Sequence, residues 1–172
     1  MGDRSAIDVL MKRSIAEIFP AFYDEHQTAS SIEHISVVDP MLIEDGTYYV
    51  IEEAGTIVAC GGWSRRDKLY TGSGEGEEDA RLLDPATEAA RVRAMFVRGD
   101  RARRGLGTSI LKAAEAAAES EGFRNLALMA TMPGVALYER YGFQVVKWVQ
   151  IPLPDGSSIG GAAMEKPLTW PG

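Results

Sequence analysis

The chain has one cysteine, Cys60, and two histidines, His26 and His34, among its 172 residues. A lone thiol excludes a disulfide within the chain and any cluster of thiolate ligands. Set in the apolar run Ile57-Val58-Ala59-Cys60, it reads as a small core residue rather than a nucleophile. The histidines have no partner visible in sequence, so neither is expected to act as a catalytic base, and no metal is expected. Long apolar runs are missing too. None approaches the ~20 residues of a membrane span. No signal-peptide apolar region lies near Met1, and Ala6 stands where a myristoylation pattern needs Ser or Thr. The expectation is a cytoplasmic protein with no membrane partner. Positive charge is scarce: 18 Lys and Arg against 25 Asp and Glu give a net charge of −7, which disfavours a nucleic-acid partner.

What is present suits a globular protein. Hydrophobic residues make up 45% of the sequence, and the length suffices for a single domain over 1–172 with a sizeable core. Against the acidic background one segment is basic: Arg101-Ala102-Arg103-Arg104-Gly105-Leu106-Gly107-Thr108. It joins the apolar run ending at Val97 to an Ala-rich stretch with helical periodicity. Glycines at 105 and 107 carry no Cβ to hold a ligand off the backbone. The first amides of the following helix have no intrahelical acceptor and, with the helix dipole, favour an anion. Arg101, Arg103 and Arg104 supply forked cationic donors. Strand, basic glycine loop and helix therefore predict a phosphate site. Two nucleotide motifs do not fit: no Lys follows Gly107, as a P-loop requires, and Ile110 stands where the dinucleotide fingerprint has its third glycine.

Along the chain, Ile7, Leu10, Met11, Ile15 and Ile18 recur at helical spacing from a start near Ser5, and a second helix is expected from Ala21 to about Ser30 after Pro20. Residues 47–52 and 56–60 read as a hairpin across Ala54-Gly55, with Gly61-Gly62 marking a bulge or a close backbone approach. The Gly- and acid-rich stretch from Lys68 to Ala90 reads as a mobile surface loop, a lid over an acceptor being the other reading. Strands are expected over 91–97, 125–131, 143–151 and 158–166. A helix runs from Gly107 to the Glu121-Gly122 stop, and a short one from Gly134 to Tyr141. This order predicts an α/β (α+β) architecture: a mixed sheet with helices on both faces and a parallel strand-helix-strand unit over 91–131.

Arg103-Arg104-Gly105-Leu106-Gly107-Thr108 resembles the pyrophosphate-binding segment, Q/R-x-x-G-x-G/A, of the GNAT superfamily of N-acetyltransferases. Its glycines match at 105 and 107, while Ala102 stands at the Q/R position. Some thirty residues on, Leu137-Tyr138-Glu139-Arg140-Tyr141-Gly142-Phe143 is similar to the family's L-Y-x-x-x-G-F. The resemblance runs from about Tyr48 to Lys166. It implies a mostly antiparallel GNAT-like sheet whose parallel strands, 91–97 and 125–131, splay apart, with acetyl-CoA as cosubstrate in the gap. It implies backbone contacts to the pantetheine arm from Met95, Phe96 and Val97. Pyrophosphate contacts would come from Arg103, Arg104, Gly105, Leu106, Gly107 and Thr108, and a further contact from Thr131, where relatives often carry Asn. Tyr138 would protonate the departing thiolate, while Tyr141, at a variable position of the motif, is expected to pack or face solvent. The implied function is direct transfer of an acetyl group to a primary amine of a small molecule or peptide. The alternative is a catalytically inactive acetyl-CoA-binding sensor; a homodimer is left open. Glu44, Glu52, Glu53 and, through water, Glu88 stand as candidate bases, none of them singled out by its surroundings.

Overall fold

The computed structural model of the chain describes residues 3–37, 39–67, 81–101 and 104–168. The chain opens with α1 (Asp3–Ile18), which buries Ile7, Leu10, Met11, Ser14 and Ile15 along one stripe at helical spacing. Pro20 lies in a single 3-10 turn, Phe19–Ala21. The second helix, α2 (Glu25–His34), starts four residues later than expected. Asp24 and Gln27 form a reciprocal capping box there, which satisfies two orphan amides and fixes the start. A short helix not expected from sequence, α3 (Pro40–Glu44), is capped by the Asp39 carboxylate accepting from Met41 N.

Strands β1 (Tyr48–Glu53) and β2 (Thr56–Ser64) form the expected hairpin, with Ala54 and Gly55 at φ 49° and 80° in its two-residue turn. Gly62 is the close approach: a Cβ there would lie 2.0 Å from the Thr47 carbonyl oxygen. β3 (Ala90–Val97) pairs antiparallel with β2 and bulges, Cys60 standing opposite Phe96 but Gly62 opposite Arg93. Ala94, inside the bulge, sits at φ 50°, and the Tyr48 hydroxyl donates to its carbonyl at 2.8 Å.

Helix α4 (Leu106–Ser120) follows, buried along Ile110, Leu111, Ala114 and Ala118, and stops at Gly122 with φ 93°. Then come β4 (Asn125–Thr131), α5 (Met132–Tyr141), β5 (Gln144–Pro152) and β6 (Ser158–Pro167). The sheet order is β1-β2-β3-β4-β6-β5, and every pairing is antiparallel except β3 with β4. One face carries the core built with α4 and α5, including Trp63, Leu111, Phe123, Leu126, Leu128 and Tyr138. Clusters on the α1 side hold Met11 and Ile57, and Ile15, Phe19, Ile151 and Ile159. Each fully buried aliphatic side chain contributes roughly 1.5–3 kcal/mol. The expected mixed, mostly antiparallel sheet with helices on both faces is the one observed. Of the acidic excursion, residues 68–80 lie outside the described residues, so its reading as a loop or lid has no structural counterpart here.

Candidate active site

β3 and β4 pair only at Ala90 with Leu126 and Arg91 with Ala127. Beyond that point they diverge as expected, the bulge at Ala94 re-aiming β3 just after the last pair. The gap widens into a cleft of about 1170 Å³ that passes between the strands. Its walls include Met95, Phe96, Val97, Gly105, Leu106, Gly107, Thr108, Thr131 and Tyr138, so nine of the eleven residues singled out in the sequence converge on one cavity. Arg104 is exposed beside the loop; Arg103 lies outside the described residues. Val97 enters with its carbonyl engaged, because the Ser14 hydroxyl donates to it at 2.7 Å.

The two loop glycines differ. Gly105 is the N-cap of α4 in the left-handed region, φ 78°, with no side-chain cap and nothing within 4 Å of where a Cβ would stand. The α4 start therefore has no side-chain cap among the described residues, and Gly105 to Thr108 line the cleft. Gly107 is buried inside the helix, and a Cβ there would meet Leu137 Cδ2 of α5 at 2.7 Å. The second glycine thus serves the packing of α4 on α5, and only the first meets the close-approach argument. Of the nearby arginines, Arg98 binds Asp100, and Arg101 donates to Glu53 at 2.6 Å. An uncapped helix start, an unfilled glycine position and a gap between strands suit a phosphate-bearing extended ligand such as acetyl-CoA.

Tyr138 is buried in α5 with its ring edge-on to Phe143, centroids 5.8 Å apart, and it lines the cleft. Burial alone pushes its phenol above the ordinary value of 10. Tyr141 neither merely packs nor faces solvent. Its hydroxyl donates to Glu115 of α4 at 2.5 Å, and Lys166 of β6 holds the other carboxylate oxygen at 3.1 Å while lying 5.3 Å over the Tyr141 ring. The α5 start is tied from across the sheet: the Tyr23 hydroxyl accepts from Met132 N at 2.8 Å and donates to Gly160 O at 2.6 Å. Thr131, the N-cap of α5, makes no side-chain cap bond and lines the cleft.

The candidate bases fare poorly. Glu88 accepts from both arms of Arg81 and from Asp84 N, and these bonds hold its carboxyl down at about 2, too acidic for a base at neutral pH. It does not line the cleft, and neither do Glu44, Glu52 or Glu53. His34 does line it, at the C-terminal end of α2, with its side chain 21% exposed and Nε2 3.8 Å from Glu33 Oε2. Sequence gave no sign of this, since His34 ends a helix whose cleft-facing turn is set by tertiary packing. The buried Arg93 of β3 also lines the cleft, bound to Asp39 at 3.2 Å. Among the described residues no cluster of ligands suits a metal ion, and no helix is long and apolar enough to cross a membrane.

A split parallel pair, a glycine loop at a helix start and a tyrosine on the following helix define a class of coenzyme-dependent acyl-transfer folds. The chain matches the Acetyltransferase (GNAT) family over residues 11–143, and it belongs to that family. No curated protein matches it. Among solved structures it is similar to a GCN5-related N-acetyltransferase from Rhodopseudomonas palustris, with TM-score 0.72 and 16% identity over 97% of this chain and 91% of that one. It is also similar to the PaiA N-acetyltransferase of Thermoplasma acidophilum, solved in complex with coenzyme A, with TM-score 0.65 and 15% identity over 96% and 93%. A third is the ribosomal-protein-alanine N-acetyltransferase of Brucella melitensis, with TM-score 0.61 and 15% identity over 97% and 95%. At these identities the likeness is one of fold.

Proposed function

We propose that the chain, as one domain acting in the cytoplasm, transfers an acetyl group directly from acetyl-CoA to a primary amine of a small molecule or peptide. The observation that carries this reading is the cleft between β3 and β4, which runs from the α4 loop to Tyr138. Amides of Gly105 to Thr108 hold the pyrophosphate, with Arg104 at the loop and, by the family resemblance, Arg103 adding positive charge. Backbone groups of Met95, Phe96 and Val97 orient the pantetheine arm, Val97 through its amide because its carbonyl is engaged by Ser14. Thr131 adds a hydroxyl contact.

Acetyl transfer needs a neutral amine, a stabilised oxyanion and help for the departing thiolate. Tyr138 supplies the last. Its phenol, held above 10 by burial, stays protonated through the neutral range. A free thiol near 8.5 is the stronger acid, so the phenol first stabilises the thiolate by a donated hydrogen bond. Proton transfer to sulfur is uphill between the two groups and is drawn forward as solvent returns a proton to the phenol and the free thiol departs.

The test pairs two measurements on the purified chain: acetyl-CoA affinity by calorimetry, and coenzyme release by a thiol assay with a panel of amines. Binding with amine-dependent thiol release is expected. Binding without release from any amine or peptide would turn the reading to a sensor, and absence of binding would end it.

A further inference from the structure

The cleft has a second end. On the α1 side of the sheet its wall is apolar: Phe19 and Phe22 at the end of α1, Ile35 just past α2, and Ile151 and Leu153 at the close of β5. Phe22 is 52% exposed and lines the cleft. The polar side chains at this end are Ser14 and His34, and Ser14 is occupied by the Val97 carbonyl. Among the described residues, the charges that line the cleft are Arg93, Arg101 and Arg140 against a single carboxylate, Glu139, which adjoins Tyr138 on the α5 wall. Among the described residues, Glu33 stands 3.8 Å from His34 and Asp39 is bound to Arg93, but neither carboxylate lines the cleft itself.

This arrangement constrains the amine. Among the described residues the apolar end has no lining carboxylate to repay an ammonium for its lost hydration, so the amine enters neutral. A lysine-like amine near pKa 10.4 is about one part in 2,500 neutral at pH 7, whereas an α-amino group near 7.8 is about one part in seven, a difference of roughly 300-fold. The apolar lining fits an apolar body behind the nitrogen. Once the nitrogen bonds to the thioester carbon it still carries a proton to lose. Among the described residues lining the cleft, the other titratable groups at hand are guanidinia, raised phenols and Glu139 on the α5 wall; histidine is the side chain suited to proton exchange near neutrality.

We propose that the apolar end of the cleft takes a weakly basic primary amine of the α-amino kind on an apolar or aromatic body, and that His34 accepts the proton it sheds. The proposal rests on the acetyltransferase reading above. The new C–N bond forms as the C–S bond breaks with its electron pair on sulfur. The nitrogen's proton passes to the His34 imidazole and on to solvent, and the sulfur takes its proton through Tyr138.

The experiment uses the full chain with three amines at pH 7: phenylalaninamide, 2-phenylethylamine with a similar aromatic body but an alkylamine nitrogen, and spermidine. Acetyl-CoA affinity is measured alongside. Phenylalaninamide is expected to exceed 2-phenylethylamine in kcat/KM by at least about 100-fold, on the ratio of neutral forms, with spermidine lowest. His34→Ala is expected to keep acetyl-CoA affinity and the melting curve, to lose at least about 100-fold in kcat, and to recover with imidazole added to the buffer. Phe22→Ala should raise KM for phenylalaninamide with little change in kcat. Equal or better turnover of spermidine, or an unimpaired His34→Ala, overturns the proposal. If acetyl-CoA binds and none of the three amines reacts, the acceptor assignment falls alone; if acetyl-CoA does not bind, the transferase reading falls with it.

Discussion

Replacing Tyr138 or Tyr141 with Phe removes one oxygen from the same helix, and the two variants should fail in opposite ways. The Tyr138 ring is fixed by its edge contact with Phe143 and by Gly134, where a Cβ would come within 2.8 Å of it. No hydrogen bond among the described residues uses its hydroxyl. Tyr138→Phe should therefore leave stability within about 0.5 kcal/mol and acetyl-CoA affinity intact. Its kcat should fall by about 10²–10⁴, or about 2.7–5.5 kcal/mol of barrier. Tyr141→Phe strips Glu115 of a hydrogen bond worth about 1.5–3 kcal/mol to a charged acceptor. Lys166 still holds that carboxylate, so the lower figure applies and Tm should drop by about 3–6 °C with kcat nearly unchanged. The assays are single-turnover thiol release and calorimetric melting of both variants beside the parent. The pH profile adds a sign. The protonated phenol is the working form and its pKa is raised, so this group's contribution is complete below pH 10 and is lost only as pH climbs past the raised value. Near-full single turnover by Tyr138→Phe, or an alkaline limb below pH 10 in the parent that the variant lacks, would refute the assignment.

Three further outcomes are expected. Gly107→Val forces a branched side chain onto Leu137, so it should destabilise by about 1–3 kcal/mol and weaken acetyl-CoA at least about tenfold by displacing the α4 start rather than by touching the ligand. Gly105→Ala, strained only by its positive φ, should cost about 1 kcal/mol; melting and calorimetry of both separate packing from ligand contact. Asp39→Asn leaves the Arg93 guanidinium buried against a neutral amide and should lower stability by about 3–5 kcal/mol in denaturant titration. Tyr23→Phe deprives Met132 N and Gly160 O of their partner; a loss of about 1–3 kcal/mol and faster hydrogen exchange at the Met132 amide are the measurable signs.

The glycine-loop half of the cleft, as a lining, was legible in the sequence because its signals are local. Gly105 needs a left-handed backbone, the residues around it are consecutive, and Leu137 to Phe143 form one helix turn and its stop. The helix boundary at Asp24 was equally local, and its Asp-x-x-Gln capping box went unused in favour of Pro20. Gly107 matched a motif for a reason the motif does not state, its partner Leu137 being thirty residues away. The other half of the cleft could not be read. Phe22, His34 and Leu153 meet only because α1 and α2 fold over the end of β5, and no spacing rule links residues 120 positions apart. Glu88 shows the converse: a carboxylate near the central strand in sequence is withdrawn by Arg81, a partner that only the folded chain brings to both its oxygens.

The two residue pairs that join β3 to β4 carry a thermodynamic consequence. The sheet is two three-stranded antiparallel halves, β1-β2-β3 and β4-β6-β5, laddered to each other at one end and bridged elsewhere by helices. Each half closes its own hydrogen bonds; the seam between them does not. A ligand laid along the seam completes a ladder that the polypeptide leaves unfinished, so it belongs to the tertiary structure as much as to the chemistry. Stability then depends on ligand concentration: a ligand at one hundred times its dissociation constant adds about 2.7 kcal/mol. Where such a ligand's concentration rises and falls, the stability of the folded chain would follow it.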